Sequence, residues 1–406
     1  MTRTSSHIQR WRHEYLKKHV YLDYGSTTPV DAEVLKSMQE YFTKNFGNPS
    51  SVHTYGLKAQ DAIEQSRQHV SSCINASADE IIFTSGGTEA DNLGIKGIAL
   101  QHQAEIGPKS PHIITSSIEH PAVLETCKYL EKQGFAVSYL PVNADGIINP
   151  KQLQETITDQ TFLVSIMAAN NEIGTIQPLK EIGAITHKNN ILFHTDAVQA
   201  IGKIPIDVQK MHIDLLSLSS HKIYGPKGIG ALFVRKGVPL TPLFHGGGHE
   251  QGRRSSTLNT PGIIALGKAC ELAKKRMKTD VLLMKKLRDQ LIKNVLEIEE
   301  TYLNGHPTKR LANNAHFRFT AVEGESIHLM LDNAGIAAAT GSACSSKKLQ
   351  PSHVLLALGL TPEESHGSIR FSLGRMNTEN DIIYVSETIP GIIKTLRSMS
   401  PLWKKK

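Results

Sequence analysis

An α/β fold built on a mostly parallel sheet covered on both faces is what this sequence predicts, on three observations. Short, apolar, β-branched runs alternate with longer helical ones from Tyr21 to about Gly262. Several of these runs end in polar residues, and the turns after them are rich in glycine and small residues. Strands buried on both faces read this way, and the carboxyl edge of such a sheet is where open α/β folds bind ligands. Seven runs qualify as strands: 81–84, 112–115, 136–140, 163–168, 191–194, 215–217 and 231–234. Helical patterns such as 58–74 and 122–133 separate the earlier ones. Beyond Ile263 a long pattern through Glu299 reads as one or two helices, and strand candidates return at 315–319 and 368–372. The expected division is a segment 1–20 packing on a small domain, a large domain 21–262 and a small domain 263–406.

The bulk numbers narrow the class. At 406 residues the chain can build two domains around a large core. Hydrophobic residues at 39% and charged residues at 20% describe an ordinary globule, and no apolar run approaches the roughly 18 residues of a spanning helix. The net charge of +7 arises from 45 basic against 38 acidic residues, a mild excess without the concentrated stripe that nucleic-acid binding calls for. Cys73, Cys127, Cys270 and Cys344 lie far apart with no C-x-x-C spacing, which argues against zinc and disulfide frameworks and for a reducing, cytoplasmic setting. Residues 1–20 carry Arg3, Arg10, Arg12, Lys17 and Lys18 against Glu14 alone. A basic amphipathic helix on the small domain is preferred there over a targeting segment.

Three strand ends carry the chemistry. Ser219-Ser220-His221-Lys222 follows the run 213–218 and precedes a Gly/Pro-rich turn, so a lysine is delivered to the sheet edge, where a desolvated amine can condense with an aldehyde. The run 191–195 ends in Asp196, which either caps a helix beginning at Ala197 or sets a carboxylate against a cofactor ring nitrogen. The run 80–84 enters Ser85-Gly86-Gly87-Thr88-Glu89-Ala90 and then a helix. A small-residue turn at a helix N-terminus cradles a phosphate, with Gly87 and Thr88 facing it. It lacks the Gly-Lys-Ser/Thr ending of a P-loop and the three spaced glycines of a dinucleotide fold, so one phosphate fits better than two. The His245, His249 and Glu250 spacing does not suggest a metal, because three glycines between the histidines leave no helix to present them.

Phosphate cup, acid and lysine in this order resemble the aspartate aminotransferase-like, fold type I, pyridoxal phosphate enzymes. Further motifs resemble one branch: Tyr21-Leu22-Asp23-Tyr24, Phe46-Gly47-Asn48-Pro49-Ser50, Glu119-His120, Asn170-Asn171-Glu172-Ile173-Gly174, Ser220-His221-Lys222-Ile223-Tyr224-Gly225-Pro226-Lys227-Gly228, His245-Gly246-Gly247-Gly248-His249-Glu250, Gly341-Ser342-Ala343-Cys344 and Ser368-Ile369-Arg370-Phe371-Ser372. From about Tyr21 to about Trp403 the chain looks like a cysteine desulfurase of the NifS/IscS type. The resemblance implies pyridoxal 5'-phosphate held by Gly87, Thr88, Ser219 and His221 at the phosphate, Asp196 at the ring nitrogen, His120 stacked on the ring, and Gln199 and Asn171 beside it. Lys222 is then the cofactor lysine and Arg370 the clamp for the substrate carboxylate. Thr257 reaches the phosphate of a neighbouring subunit, which makes the enzyme a homodimer.

Cys344 separates a desulfurase from its relatives. It sits in the small-residue run 337–346, and Lys347 and Lys348 beside it favour thiolate over thiol or serve an acidic acceptor surface. By resemblance, L-cysteine is converted to L-alanine, a persulfide forms on Cys344, and the sulfur passes to acceptor proteins such as an iron–sulfur scaffold or to tRNA thiolation. Housekeeping members continue past the point where this chain ends in Lys404-Lys405-Lys406, with residues that touch the scaffold. A selenocysteine lyase would share every residue named. A non-catalytic assembly subunit would have no use for intact Lys222, Asp196, His120 and Cys344.

Overall fold

The computed structural model describes residues 18–106, 110–340 and 351–403. Most of the expected N-terminal segment, together with Cys344, Lys347 and Lys348, lies outside the described residues. The strands are β1 (Val20–Tyr21), β2 (Ile81–Thr84), β3 (His112–Ser116), β4 (Ala136–Leu140), β5 (Thr161–Ser165), β6 (Leu192–Asp196), β7 (Leu215–Ser219), β8 (Gly230–Val234), β9 (Thr301–Leu303), β10 (Asn314–Phe319), β11 (Ile336–Ala337) and β12 (Ser368–Ser372).

Strands β2 to β8 form a seven-stranded sheet in the order β2-β8-β7-β6-β5-β3-β4. All neighbours are parallel except at β8, which runs antiparallel to β2 and β7. The expected mostly parallel sheet is therefore observed, and its apolar runs are continuous because both faces are covered. On one face Ile81, Phe83, Val164, Phe193, Leu216, Leu218 and Phe233 pack with Ile63 and Val70 of the helix Thr54–Cys73 and with Ile263 and Leu266 of the helix Thr260–Val295. On the other, Ile82, Ile113, Leu163, Leu215, Leu232 and Val234 meet Leu93 and Ile98 of the helix Gly87–Ile106 and Val123 of the helix Pro121–Glu131. The alternation of partners is the two-residue period of a strand.

A separate core forms around the antiparallel sheet β12-β10-β9, where Phe317, Ile369 and Phe371 pack with Ile382, Val385 and Ile389 of the helix Glu379–Met399. Val20 and Leu22 belong to this core as well, since β1 pairs with β11 in parallel. The pattern through Glu299 forms one helix, Thr260–Val295. Its first half contributes Ile263 to Leu272 to the large core, and its second half contributes Leu287, Leu291 and Val295 to the small one. Among the described residues no helix is long and apolar enough to cross a membrane.

The segment 245–252 has an anchor that the sequence does not single out. Glu250, in the left-handed region at φ 49°, is buried, and its carboxylate takes two guanidinium N–H groups of Arg67 at 2.8 Å each and the Phe83 amide at 2.8 Å. Replacing Arg67 by Ala strands a buried carboxylate, and unfolding in urea should show a loss of about 3–5 kcal/mol. A loss below about 1 kcal/mol would mean the pair is no anchor.

Candidate active site

The face of the sheet under the helix Gly87–Ile106 changes character along its strands. Leu163 gives way to Ser165, Leu192 to His194 and Asp196, and Leu215 to Ser217 and Ser219, always two residues on and hence on the same side. Side-chain hydroxyls there satisfy what burial would otherwise leave unpaired: Ser165 Oγ lies 2.8 Å from His194 Nδ1, and Ser217 Oγ 3.1 Å from His194 Nε2. Gly94 lets the helix settle on this polar patch, since a Cβ there would sit 3.3 Å from the His194 ring.

Above the patch opens a cavity of about 760 Å³. It brings together Gly87, Thr88, His120, Asn171, Asp196, Gln199, Ser219, His221, Lys222 and Arg370. Thr257 is exposed and does not line it.

Each of these residues is held by local structure. Lys222 closes a 3-10 turn, Ser220–Lys222, directly after β7, and donates to the carbonyls of Gly25 and Ser26 at 2.7 Å each. Asp196 ends β6. Its Oδ1 accepts the Val198 amide at 2.9 Å, and turns follow where a helix was expected at Ala197. Burial raises the Asp196 carboxyl above its ordinary range, while His120 and Lys222 pull it back. Gln199 donates to the Gly25 carbonyl at 2.9 Å. His120 is the N-cap of the helix Pro121–Glu131, and its Nδ1 accepts the Ala122 amide at 3.1 Å. An amide can only donate, so a neutral His120 carries its proton on Nε2, and burial keeps the ring neutral. It is therefore both a helix cap and a cavity residue. His221 is pushed down to about 4 by burial and by Lys222 and stays neutral, with Nδ1 3.1 Å from Thr27 Oγ1.

Arg370, on β12, reaches across from the small core. It donates to the Asn171 carbonyl at 2.8 Å, to Asp23 Oδ1 at 2.9 Å and to Ser26 Oγ at 2.8 Å. Its Nε is buried with no hydrogen-bond partner among the described residues.

Three buried carboxyls stand in or behind the cavity wall, Asp91 and Glu172 lining it and Glu119 behind it; Asp91 escapes sequence inspection, and the motifs that contain Glu119 and Glu172 do not announce their burial. Asp91, one turn into the helix Gly87–Ile106, is raised well above its ordinary range by burial and by Asp196. Its Oδ1 lies 3.7 Å from His194 Nε2, but burial pushes that imidazole down to about 3, so the two form a neutral contact and not an ion pair. Glu172 accepts from Ser352 Oγ at 2.5 Å and is raised to about 7 by burial. Glu119 accepts from Ser116 Oγ at 2.6 Å and the Met167 amide at 2.9 Å on one oxygen, while burial raises it to about 8. His353 also lines the cavity and donates Nε2–H to the Glu119 carbonyl at 3.0 Å.

The residues present suit a phosphorylated aromatic aldehyde. The first amides of a helix have no partner within it, and a Cβ on Gly87 would lie 2.8 Å from Val198 Cγ2, so the turn is open to an anion and closed to a side chain. Opposite stands a buried carboxylate suited to a ring cation, with a lysine amine beside it.

The class-V aminotransferase model matches residues 20–385. The chain belongs to that family. It is 55% identical over 388 residues to a cysteine desulfurase IscS of Methanosarcina thermophila, covering 96% of this chain and 95% of that protein. Among solved structures it is similar to a NifS-like protein (TM-score 0.87, 38% identity, 93% of this chain and 100% of the other). It also resembles SspA in complex with cysteine (TM-score 0.78, 39% identity, 88% and 100%).

The Glu119 carboxyl yields a pH test. Folding raises it from an ordinary 4.5 to about 8, so between those values the folded chain holds a proton that the unfolded chain has lost. Its contribution to stability is complete below 4.5 and disappears as pH rises through about 8. Relative to Glu119→Gln, wild type should lose stability from about pH 5 to about pH 8, read from urea midpoints. A wild type that gained stability relative to the Gln variant over this range would mean the carboxyl is ionised in the fold.

Proposed function

We propose that this protein is a pyridoxal 5'-phosphate-dependent cysteine desulfurase, converting L-cysteine to L-alanine and leaving the sulfur as a persulfide on Cys344. The observation that carries the reading is the meeting of Lys222, Asp196, His120 and the Gly87-Thr88 helix start in one cavity, from four separate strand and helix ends. The identity to cysteine desulfurases supports it along nearly the whole chain.

In this reading Gly87 and Thr88 amides, Ser219 and His221 hold the phosphate. Asp196 holds the ring nitrogen, His120 lies over the ring, and Gln199 and Asn171 flank it. The bound cofactor supplies an electron sink for the charge left when the substrate loses its Cα proton. Lys222 takes that proton on Nζ, where the Gly25 and Ser26 carbonyls orient the amine. Arg370 receives the substrate carboxylate, a planar two-pronged donor being the residue type for that task. Cys344 thiolate attacks the substrate sulfur, so an S–S bond forms as the Cβ–S bond breaks and its electron pair goes to carbon. A proton delivered to Cβ and another returned to Cα complete alanine.

A second copy of the chain is part of the reading. Phe42, Phe46, Val52, Tyr55 and Leu57 stand exposed in one stretch, Val52 at 91%. Exposed apolar side chains this close in the chain favour a partner, and exposed Thr257 is free to serve the neighbouring subunit's phosphate site. Sulfur acceptors of iron–sulfur assembly and tRNA thiolation, in the cytoplasm, complete the proposal.

Lys222→Ala should lower alanine release from L-cysteine by at least about a thousandfold while cofactor still binds in a form that dialysis removes; an undiminished rate would take Lys222 out of the mechanism. Cys344→Ser should keep the spectral change on adding L-cysteine but stop sulfide release, because a hydroxyl is a poor nucleophile toward sulfur. If iodoacetamide instead inactivates through Cys73, Cys127 or Cys270, the nucleophile is misassigned.

A further inference from the structure

Lys203 lies in the turns that follow Asp196 and is only 9% exposed. A buried ammonium gives up its hydration and needs an anion in return. Among the described residues no carboxylate lies in ion-pair range of it. Its one hydrogen bond runs at 3.4 Å to the main-chain carbonyl of Lys222. A small cavity of about 30 Å³, large enough for a water, is lined by both lysines.

The charges around the pair do not neutralise Lys203. On the small-cavity side stand Tyr24, Tyr224, Asp280 and Arg375. Burial raises both tyrosines, so they stay neutral. Asp280 is acted on by Arg375 and Arg276, and Arg375 is paired with Asp31. On the large-cavity side Lys222 meets Asp196, His120, His221 and Arg370. The charge that acts on Lys203 is that of Lys222, and with burial it pushes the Lys203 amine down to about 7. Each amine's charge disfavours the other's, so Lys203 holds its proton best when Lys222 has none, and a buried lysine in that relation to the one lysine the site requires calls for a functional reason.

We propose that Lys203 is a positioning residue for Lys222, a second cation whose charge favours the neutral, nucleophilic amine of Lys222 while its N–H holds that residue's main-chain carbonyl. The two carbonyls and Asp196 around Lys222 favour its ammonium form. Lys203 opposes them, as a neighbouring cation does for other Schiff-base lysines. This inference rests on the reading that Lys222 carries the cofactor.

The test is the pH titration of the visible band of the cofactor-loaded enzyme, for wild type, Lys203→Met and Lys203→Arg. The Met variant should titrate about one unit higher, and its apoenzyme should take up pyridoxal 5'-phosphate severalfold more slowly at neutral pH. The Arg variant, which keeps the cation, should recover most of the shift. Lys203→Met should melt no lower than wild type, because an apolar chain of similar length replaces an unneutralised charge. An unchanged midpoint in the Met variant, an Arg variant that behaves like Met, or a large fall in melting temperature for Met would each overturn the proposal. A wild-type enzyme with no visible band would overturn the cofactor reading and this inference with it. A wild-type band with an unshifted Met variant would overturn this inference alone.

Discussion

The amine of Lys222, held at 2.7 Å by the Gly25 and Ser26 carbonyls, is the contact on which the organisation of the molecule turns. It brings the end of β7 against a segment that belongs to the other core. Leu22 is buried with the small-sheet residues, and the Tyr24 and Gly25 amides bond to Ser372. Arg370 reaches Asp23 and Ser26 from the same side, and Thr28 bonds to the His221 carbonyl. Residues 23–28 are thus a strap with one edge on each core, and the cavity lies between. A substrate clamped by Arg370 would share its guanidinium with the strap, so substrate binding and the seating of the two cores are mechanically linked.

Burial then dictates the electrostatics. Asp91, Glu119 and Glu172 are all raised by desolvation, and an interior that held them all as anions would be prohibitively costly. Burial therefore favours their neutral, hydrogen-bonding forms, whereas at Asp196, which lines the cavity, His120 and Lys222 pull against the effect of burial. The neutral histidines follow the same logic. His194 is wedged between two serines and His120 is committed through Nδ1 to the helix start, so neither adds a charge to the cavity wall.

What was legible in the sequence tracks how local the signal is. The seven strands were readable because runs buried on both faces are continuous. Their ends were less so: the expected run 163–168 overshoots β5, Thr161–Ser165, because apolar Ile166, Met167 and Ala168 follow it, and the expected 191–194 stops short of β6, Leu192–Asp196, whose last residues are polar. Lys222, Asp196 and Gly87 could be chosen because each sits at a strand end. Glu250 could not, since its partner Arg67 is 183 residues away, and neither could Lys203, whose burial depends on how the turn after Asp196 packs. The helix expected at Ala197 is cut to turns: Asp196 caps the Val198 amide and the Ile201 amide bonds to the Ala197 carbonyl, but Gly202 in the left-handed region breaks the helix. The three glycines before His249 argue only against a metal site, whereas the residue that follows, Glu250, is held by Arg67 and the Phe83 amide.

The central claim, that this cavity exists to hold pyridoxal phosphate on Lys222, is tested most directly by reducing the purified enzyme with borohydride and mapping its peptides by mass spectrometry. The account requires a single pyridoxyl group, on the peptide that contains Lys222. A pyridoxyl group on Lys203 or any other lysine, or none at all in a protein that still releases alanine from L-cysteine, would contradict it.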